Sequence, residues 1–204
     1  MGYAVSKIYA RSIIEEFSIR FDENIHCLED LLFMYQYLLH CDYLVLNHMQ
    51  NYVYVKHPFS LSHRIHSFES EYCCFVKYQQ LLAEMMKVWK IPVGDMVVTV
   101  NSMLVPFRRA LKSDYQPDRT IPREMRVKHL KRMISESRDV FLKYYHPVFK
   151  TDKLGKVLLG FNCYILYDFY IRLLFRLNIR FLYRFVYCHC KYNRIYTCLL
   201  YTSD

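Results

Sequence analysis

Proline does most to limit what this chain can fold into. Pro92, Pro106, Pro117, Pro122 and Pro147 fall in one stretch, and Pro58 closes an earlier aromatic run. A proline ring removes a backbone donor and blocks the helical turn before it, so these positions cut the chain into short segments. Only 4 glycines accompany them, and 53% of the residues are hydrophobic and 17% aromatic. That composition is far from disorder and leans towards helix. The punctuation predicts a long helix that opens at Ser67, carries Glu69 and Glu71 in its first turn and runs to about Lys90. Two further helices are expected over 93–112 and 123–145.

Ahead of Pro58 the pattern is mixed. Residues 2–5 read as the end of a strand feeding a helix from Arg11 to Phe17. A second helix is expected from Glu29 to about His40, with Leu32, Tyr35, Gln36 and Leu39 along one side. The runs 43–46 and 51–55, rich in aromatic and branched residues, read as short strands. The expectation is an α/β unit over 1–65, a helical extension over 66–190, and an irregular tail over 191–204. The tail ends like translated adapter sequence and carries no functional argument. A chain of 204 residues suffices for one domain or one and a half around a sizeable core.

The net charge of +9 is unevenly placed. Residues 1–104 hold 8 Lys+Arg against 11 Asp+Glu, and residues 105–204 hold 20 against 8. The second half therefore calls for an anionic partner, a membrane surface or a nucleic acid. Within it Arg172, Arg176, Arg180 and Arg184 recur every four residues, a basic stripe opposite Leu174, Phe175, Phe181, Leu182 and Phe185. The uncharged run from Val157 to Tyr167 is too short to cross a bilayer. A nucleic acid would leave the apolar side exposed, whereas a bilayer interface buries it, so the expectation is an anionic membrane surface and no nucleic acid.

Eight cysteines with no regular spacing and no signal peptide read as reduced thiols in the cytoplasm. Cys188, His189, Cys190 and Cys198 fit no common zinc spacing, and no metal ligand is assigned. The histidines, scattered through loops and helix ends, are assigned nothing.

One ordered set of residues carries more. Ser6-Lys7-x-Tyr9-x-Arg11 is followed by Arg20-Phe21-Asp22-Glu23, by Glu29-Asp30-x-x-Phe33, and then by Tyr52-x-Tyr54 and Ser60-x-Ser62. Over residues 3–65 this order resembles the acceptor half of a family 2 glycosyltransferase of the bacterial polysaccharide type. The resemblance implies a partial GT-A α/β fold and an inverting transfer of sugar from a nucleotide-sugar donor to a saccharide or lipid-linked acceptor. It further implies Asp30 as the base, Glu29 as its support, and Lys7, Tyr9, Arg11 and Tyr54 around the acceptor. Such a base removes the hydroxyl proton as the oxygen attacks the anomeric carbon. Spacing alone allows Glu29 and Asp30 to be first-turn acids favoured by the helix dipole. The family's donor half holds a divalent cation, Mg or Mn, on an Asp-x-Asp motif that occurs nowhere in this sequence. No cofactor is therefore expected on this chain, and the donor half is expected on sequence outside it. The location implied is the inner face of the cell membrane. Two rivals from other classes are a non-catalytic membrane-peripheral helical protein and a basic nucleic-acid-binding module.

Overall fold

The computed structural model describes residues 7–45, 64–95, 101, 104–116, 120–147 and 150–176. Helices α1 (Arg11–Glu16), α2 (Glu29–Leu38), α3 (Phe68–Val88), α4 (Leu104–Ser113), α5 (Arg123–Tyr144), α6 (Lys150–Gly160) and α7 (Tyr164–Arg176) follow one another, with a 3-10 turn at Val93–Asp95. The described residues are 69% helical and contain no strand or sheet. The expected GT-A α/β fold is thus corrected to an all-helical arrangement. Residues 43–45 lie in no strand; a segment rich in β-formers becomes a strand only where a partner accepts its backbone bonds. The expected strands at 2–5 and 51–55 lie outside the described residues, as does the tail.

The chain forms two compact units, residues 2–113 and 114–204. In the first, Ser67 caps α3, its hydroxyl accepting from the Ser70 amide at 3.4 Å. The apolar face of α3 buries Tyr72, Phe75, Tyr78 and Leu82, and packs against α2 and α4. Glu71 is 1% exposed and receives Arg109 from α4 on both oxygens, Nε to Oε2 at 2.8 Å and Nη2 to Oε1 at 2.7 Å. The His66 amide also donates to Glu71, and Arg109 donates to the Arg64 carbonyl. This ion pair joins α3, α4 and the segment before α3.

In the second unit α7 packs on both α5 and α6. Gly155 lets α6 approach closely, since a Cβ there would meet the Tyr167 ring at 3.1 Å. Asp168 is 2% exposed; it accepts from Arg126 Nε at 2.6 Å and Nη2 at 2.8 Å, and from the Tyr115 hydroxyl at 2.7 Å. Burial disfavours its charged form, but the Arg126 and Tyr115 bonds outweigh burial and hold the carboxyl below its ordinary value. A group depressed in the folded state stabilises fully above its unfolded value of 3.8 and loses that contribution as pH falls further. Asp114, beside His129 at 2.8 Å, has the opposite sign, because burial raises its carboxyl despite His129. In acid titrations followed by circular dichroism, Asp168→Asn should therefore flatten the loss of stability below pH 3.8, whereas Asp114→Asn should act above pH 3.8, removing the stability that Asp114 adds as pH falls towards that value.

Candidate functional site

The first unit holds a polar cleft of about 580 Å³ between α2, α3 and the loop that follows α1. The loop arises where α1 ends. Ser18 takes a left-handed φ of 51°, with Ile19 N donating to the Ile14 carbonyl at 3.0 Å and Ser18 N to that of Glu15 at 3.2 Å. This Schellman closure turns the chain and lets Ile19 bury against Phe33 and Tyr37. Phe21 follows, stacked on Phe33 with centroids 4.5 Å apart and 52% exposed, so one ring face stays open to the cleft. Asp22 organises the next turn: its Oδ1 accepts from the Asn24 amide at 2.9 Å and its Oδ2 pairs with Lys77. The Ser70 hydroxyl of α3 closes on the Asn24 carbonyl at 2.9 Å. α3 therefore holds the loop at Asp22 and Asn24.

Leu28 precedes α2 in the left-handed region, φ 66° and ψ 13°. For a leucine this costs on the order of 1–2 kcal/mol, and it sets the direction in which Glu29 and Asp30 leave the loop. Both acids occupy the first turn of α2, where the positive end of the helix favours carboxylates. Glu29 lines the cleft beside Leu32, Phe33 and Gln36 of α2 and Lys77, Gln80, Leu81 and Glu84 of α3.

The Asp30 charge is felt at Lys7 and Tyr9. Burial lowers the Lys7 ammonium and the Asp30 charge partly restores it; burial and then the same charge raise the Tyr9 phenol. Tyr9 is wedged edge-on against Phe33 at 5.5 Å and Tyr37 at 4.8 Å, and the Tyr37 hydroxyl accepts from the Ala10 amide at 2.8 Å. These contacts fasten residues 7–10 to α2, and with them the lysine and the tyrosine near the carboxylate.

The structure thus packs Tyr9 on α2 and leaves the Asp30 charge felt at Lys7 and Tyr9, while Glu29, and not Asp30, lines the cleft. Arg11 is turned outward, its side chain 89% exposed and paired with Glu15 at 2.6 Å along α1. Tyr54, Arg180 and Arg184 lie outside the described residues. Arg172 and Arg176 are exposed on α7. Of the residues expected to meet lipid, Leu174 is buried and Phe175 stacks on Tyr115 at 5.8 Å, while Phe181, Leu182 and Phe185 lie outside the described residues. Sequence reasoning assigned no role to Lys77, Gln80 and Glu84, although their spacing of three and four residues along α3 sets polar groups on one helical face.

Cys27, next to the loop, is no nucleophile at neutral pH, since burial pushes its thiol up to about 11. Among the described residues no three ligating groups converge as a metal site, and the sequence has no Asp-x-Asp. The residues present therefore do not fit the divalent cation of the resembled family, and no step is routed through one. Compared with protein-family models, curated proteins and solved structures, the chain matches none.

Proposed function

We propose that residues 2–113 are the acceptor-binding portion of an inverting glycosyltransferase of surface-polysaccharide assembly, with Asp30 as the base. The observation that carries this reading is the polar cleft walled by Glu29 of α2, with Asp30 next to it in the first turn of that helix and Tyr9 packed on the same helix against Phe33 and Tyr37. Spacing alone leaves Tyr9 apart from that helix. A sugar presents hydroxyls around a weakly apolar ring. The cleft offers matching groups: the amides of Asn24, Gln36 and Gln80, the carboxylates of Glu23, Glu29 and Glu84, and the open face of Phe21. Glu29 lines the cleft and Asp30 follows it in the first turn of α2, so the acceptor hydroxyl must extend beyond the cleft lining to Asp30, which takes its proton as the oxygen bonds to the anomeric carbon and the nucleoside diphosphate leaves. The donor site is supplied from outside residues 1–204, so this chain alone binds acceptor without transferring sugar to it. No helix among the described residues is long and apolar enough to cross a membrane. The working location we propose is peripheral, on the inner face of the cell membrane, where lipid-linked acceptors present their head groups.

A glycan array probed with the 204-residue chain tests the acceptor reading. The expected result is binding to a restricted set of oligosaccharides. Phe21→Ala should weaken it about fivefold, through loss of a ring contact worth about 1 kcal/mol, while Asp30→Asn should leave it within about twofold. Binding to no glycan, or equal binding by the Phe21→Ala variant, removes the cleft from this role.

A further inference from the structure

The outward sides of α6 and α7 carry large apolar residues in an ordered pattern. On α7, Ile165 is 59% exposed, Leu166 57%, Phe169 67% and Leu173 41%, while Tyr167, Asp168, Ile171 and Leu174 are buried. At about 100° per residue, Ile165, Phe169, Arg172, Leu173 and Arg176 share one side of the helix. The arginines therefore do not oppose the exposed apolar residues; they stand among them. α6 repeats the arrangement, with Leu154 47% and Val157 52% exposed beside the exposed Lys150 and Lys153. The connecting turn bears Phe161, 78% exposed.

This hairpin is rigidly built. Asn162 adopts φ 57°, with Cys163 N donating to the Leu158 carbonyl at 2.8 Å and Asn162 N to that of Leu159 at 3.2 Å. Arg138 of α5 clamps the turn, donating to Asn162 Oδ1 at 2.5 Å and to the Gly160 carbonyl at 2.8 Å. The exposed phenylalanines thus project from a fixed scaffold. The charges around them are one-sided: Lys150, Lys153, Lys156, Arg172 and Arg176 against Asp152 and Asp168, and Asp168 is already buried with Arg126.

We propose that the α6–α7 hairpin is a membrane-docking surface that inserts Phe161, Ile165, Phe169 and Leu173 into the interface of an anionic bilayer while Arg172 and Arg176 contact lipid phosphates. This deepens the peripheral location stated above and rests on it; it is independent of the acceptor cleft. Apolar residues intermixed with cations suit an interface in which acyl chains and anionic head groups lie within one side-chain length of each other. A nucleic acid would satisfy the arginines and leave the apolar side chains in water. A second copy of the chain would bring the same cations face to face.

The test uses the full chain with vesicles of phosphatidylcholine alone or with about one-third phosphatidylglycerol, without saccharide, so that its outcome is separate from glycan binding. Co-sedimentation is expected with the anionic vesicles only and should fall as salt rises. The double substitutions Ile165→Ser with Phe169→Ser, and Arg172→Gln with Arg176→Gln, are each expected to weaken it at least about tenfold. These four side chains are exposed, so circular dichroism should be unchanged. In a Phe169→Trp variant the added indole should shift its emission to the blue on anionic vesicles. Equal binding to neutral vesicles, unchanged binding by either double variant, or an indole that stays in water overturns the proposal. So does self-association that both double variants abolish while vesicle binding stays absent.

Discussion

Replacing Arg109 with methionine is expected to cost the first unit about 3–5 kcal/mol. The guanidinium is the partner of both Glu71 oxygens, and Glu71 is 1% exposed. With Arg109 gone, a carboxylate is left in the interior with, among the described residues, the His66 amide to solvate it. It must then take up a proton or open the packing between α3 and α4. Urea unfolding of the Arg109→Met chain should show the transition of the first unit moving to much lower denaturant. Adding Glu71→Leu should recover most of the loss, because the cost lies in the orphaned charge rather than in the absence of the pair. Recovery will be incomplete, since the Arg64 carbonyl and the His66 amide each lose a partner. A loss under about 1 kcal/mol would mean that the pair behaves as a solvent-exposed one.

Glu71 also marks how far a single sequence carries. In the first turn of a long helix a glutamate reads as a dipole-satisfying surface residue, and the helix it helps to open is found at Phe68–Val88. Its partner stands 38 positions later, on a helix whose start Pro106 only brackets, so the pairing is invisible to local pattern. The helices of Glu29–Leu38 and Arg123–Tyr144 were legible for equally local reasons, the first from its apolar period and the second from the prolines that bound it. The α/β reading of the first third failed at 43–45 because β propensity reports fit to a sheet that other segments must supply. The turn between α6 and α7 was unread because its left-handed residue is Asn162, not a glycine. Of the candidate site, the ordered motif reached Lys7, Tyr9, Glu29 and Asp30. It did not reach the far wall of the cleft, where Lys77, Gln80 and Glu84 look like ordinary polar positions on an amphipathic helix. The arginines of α7 were legible as a basic stripe, but which apolar side stays exposed depends on how α5 and α6 cover the helix.

Asp30→Asn is expected to lower sugar transfer by about 10²–10⁴-fold when the chain acts together with a donor-binding polypeptide, with acceptor affinity nearly unchanged. The substitution keeps the size of the side chain and an oxygen able to accept, as Asp30 Oδ1 does now, from the Leu31 amide at 2.8 Å. It removes the negative charge and with it the capacity to take a proton. The fall should therefore appear in kcat. Lys7→Met should act differently: it removes the cation beside the carboxylate and should shift the acidic limb of the pH–rate profile upward, because a carboxylate that loses a neighbouring positive charge binds its proton more readily. A kcat that survives Asp30→Asn would assign proton removal to another group and leave Asp30 as a helix-terminal acid.

The account stands most directly on whether the cleft between α2, α3 and the 18–24 loop receives a saccharide. Titrating the 204-residue chain with neutral hexose oligosaccharides, while following backbone amide and glutamine side-chain NMR resonances, answers that without any donor. The account predicts saturable shifts at Phe21, Asn24, Gln36 and Gln80, weakened in the Phe21→Ala chain. Shifts confined to residues 114–176, or no saturable shift at any of these positions with any oligosaccharide, would contradict it.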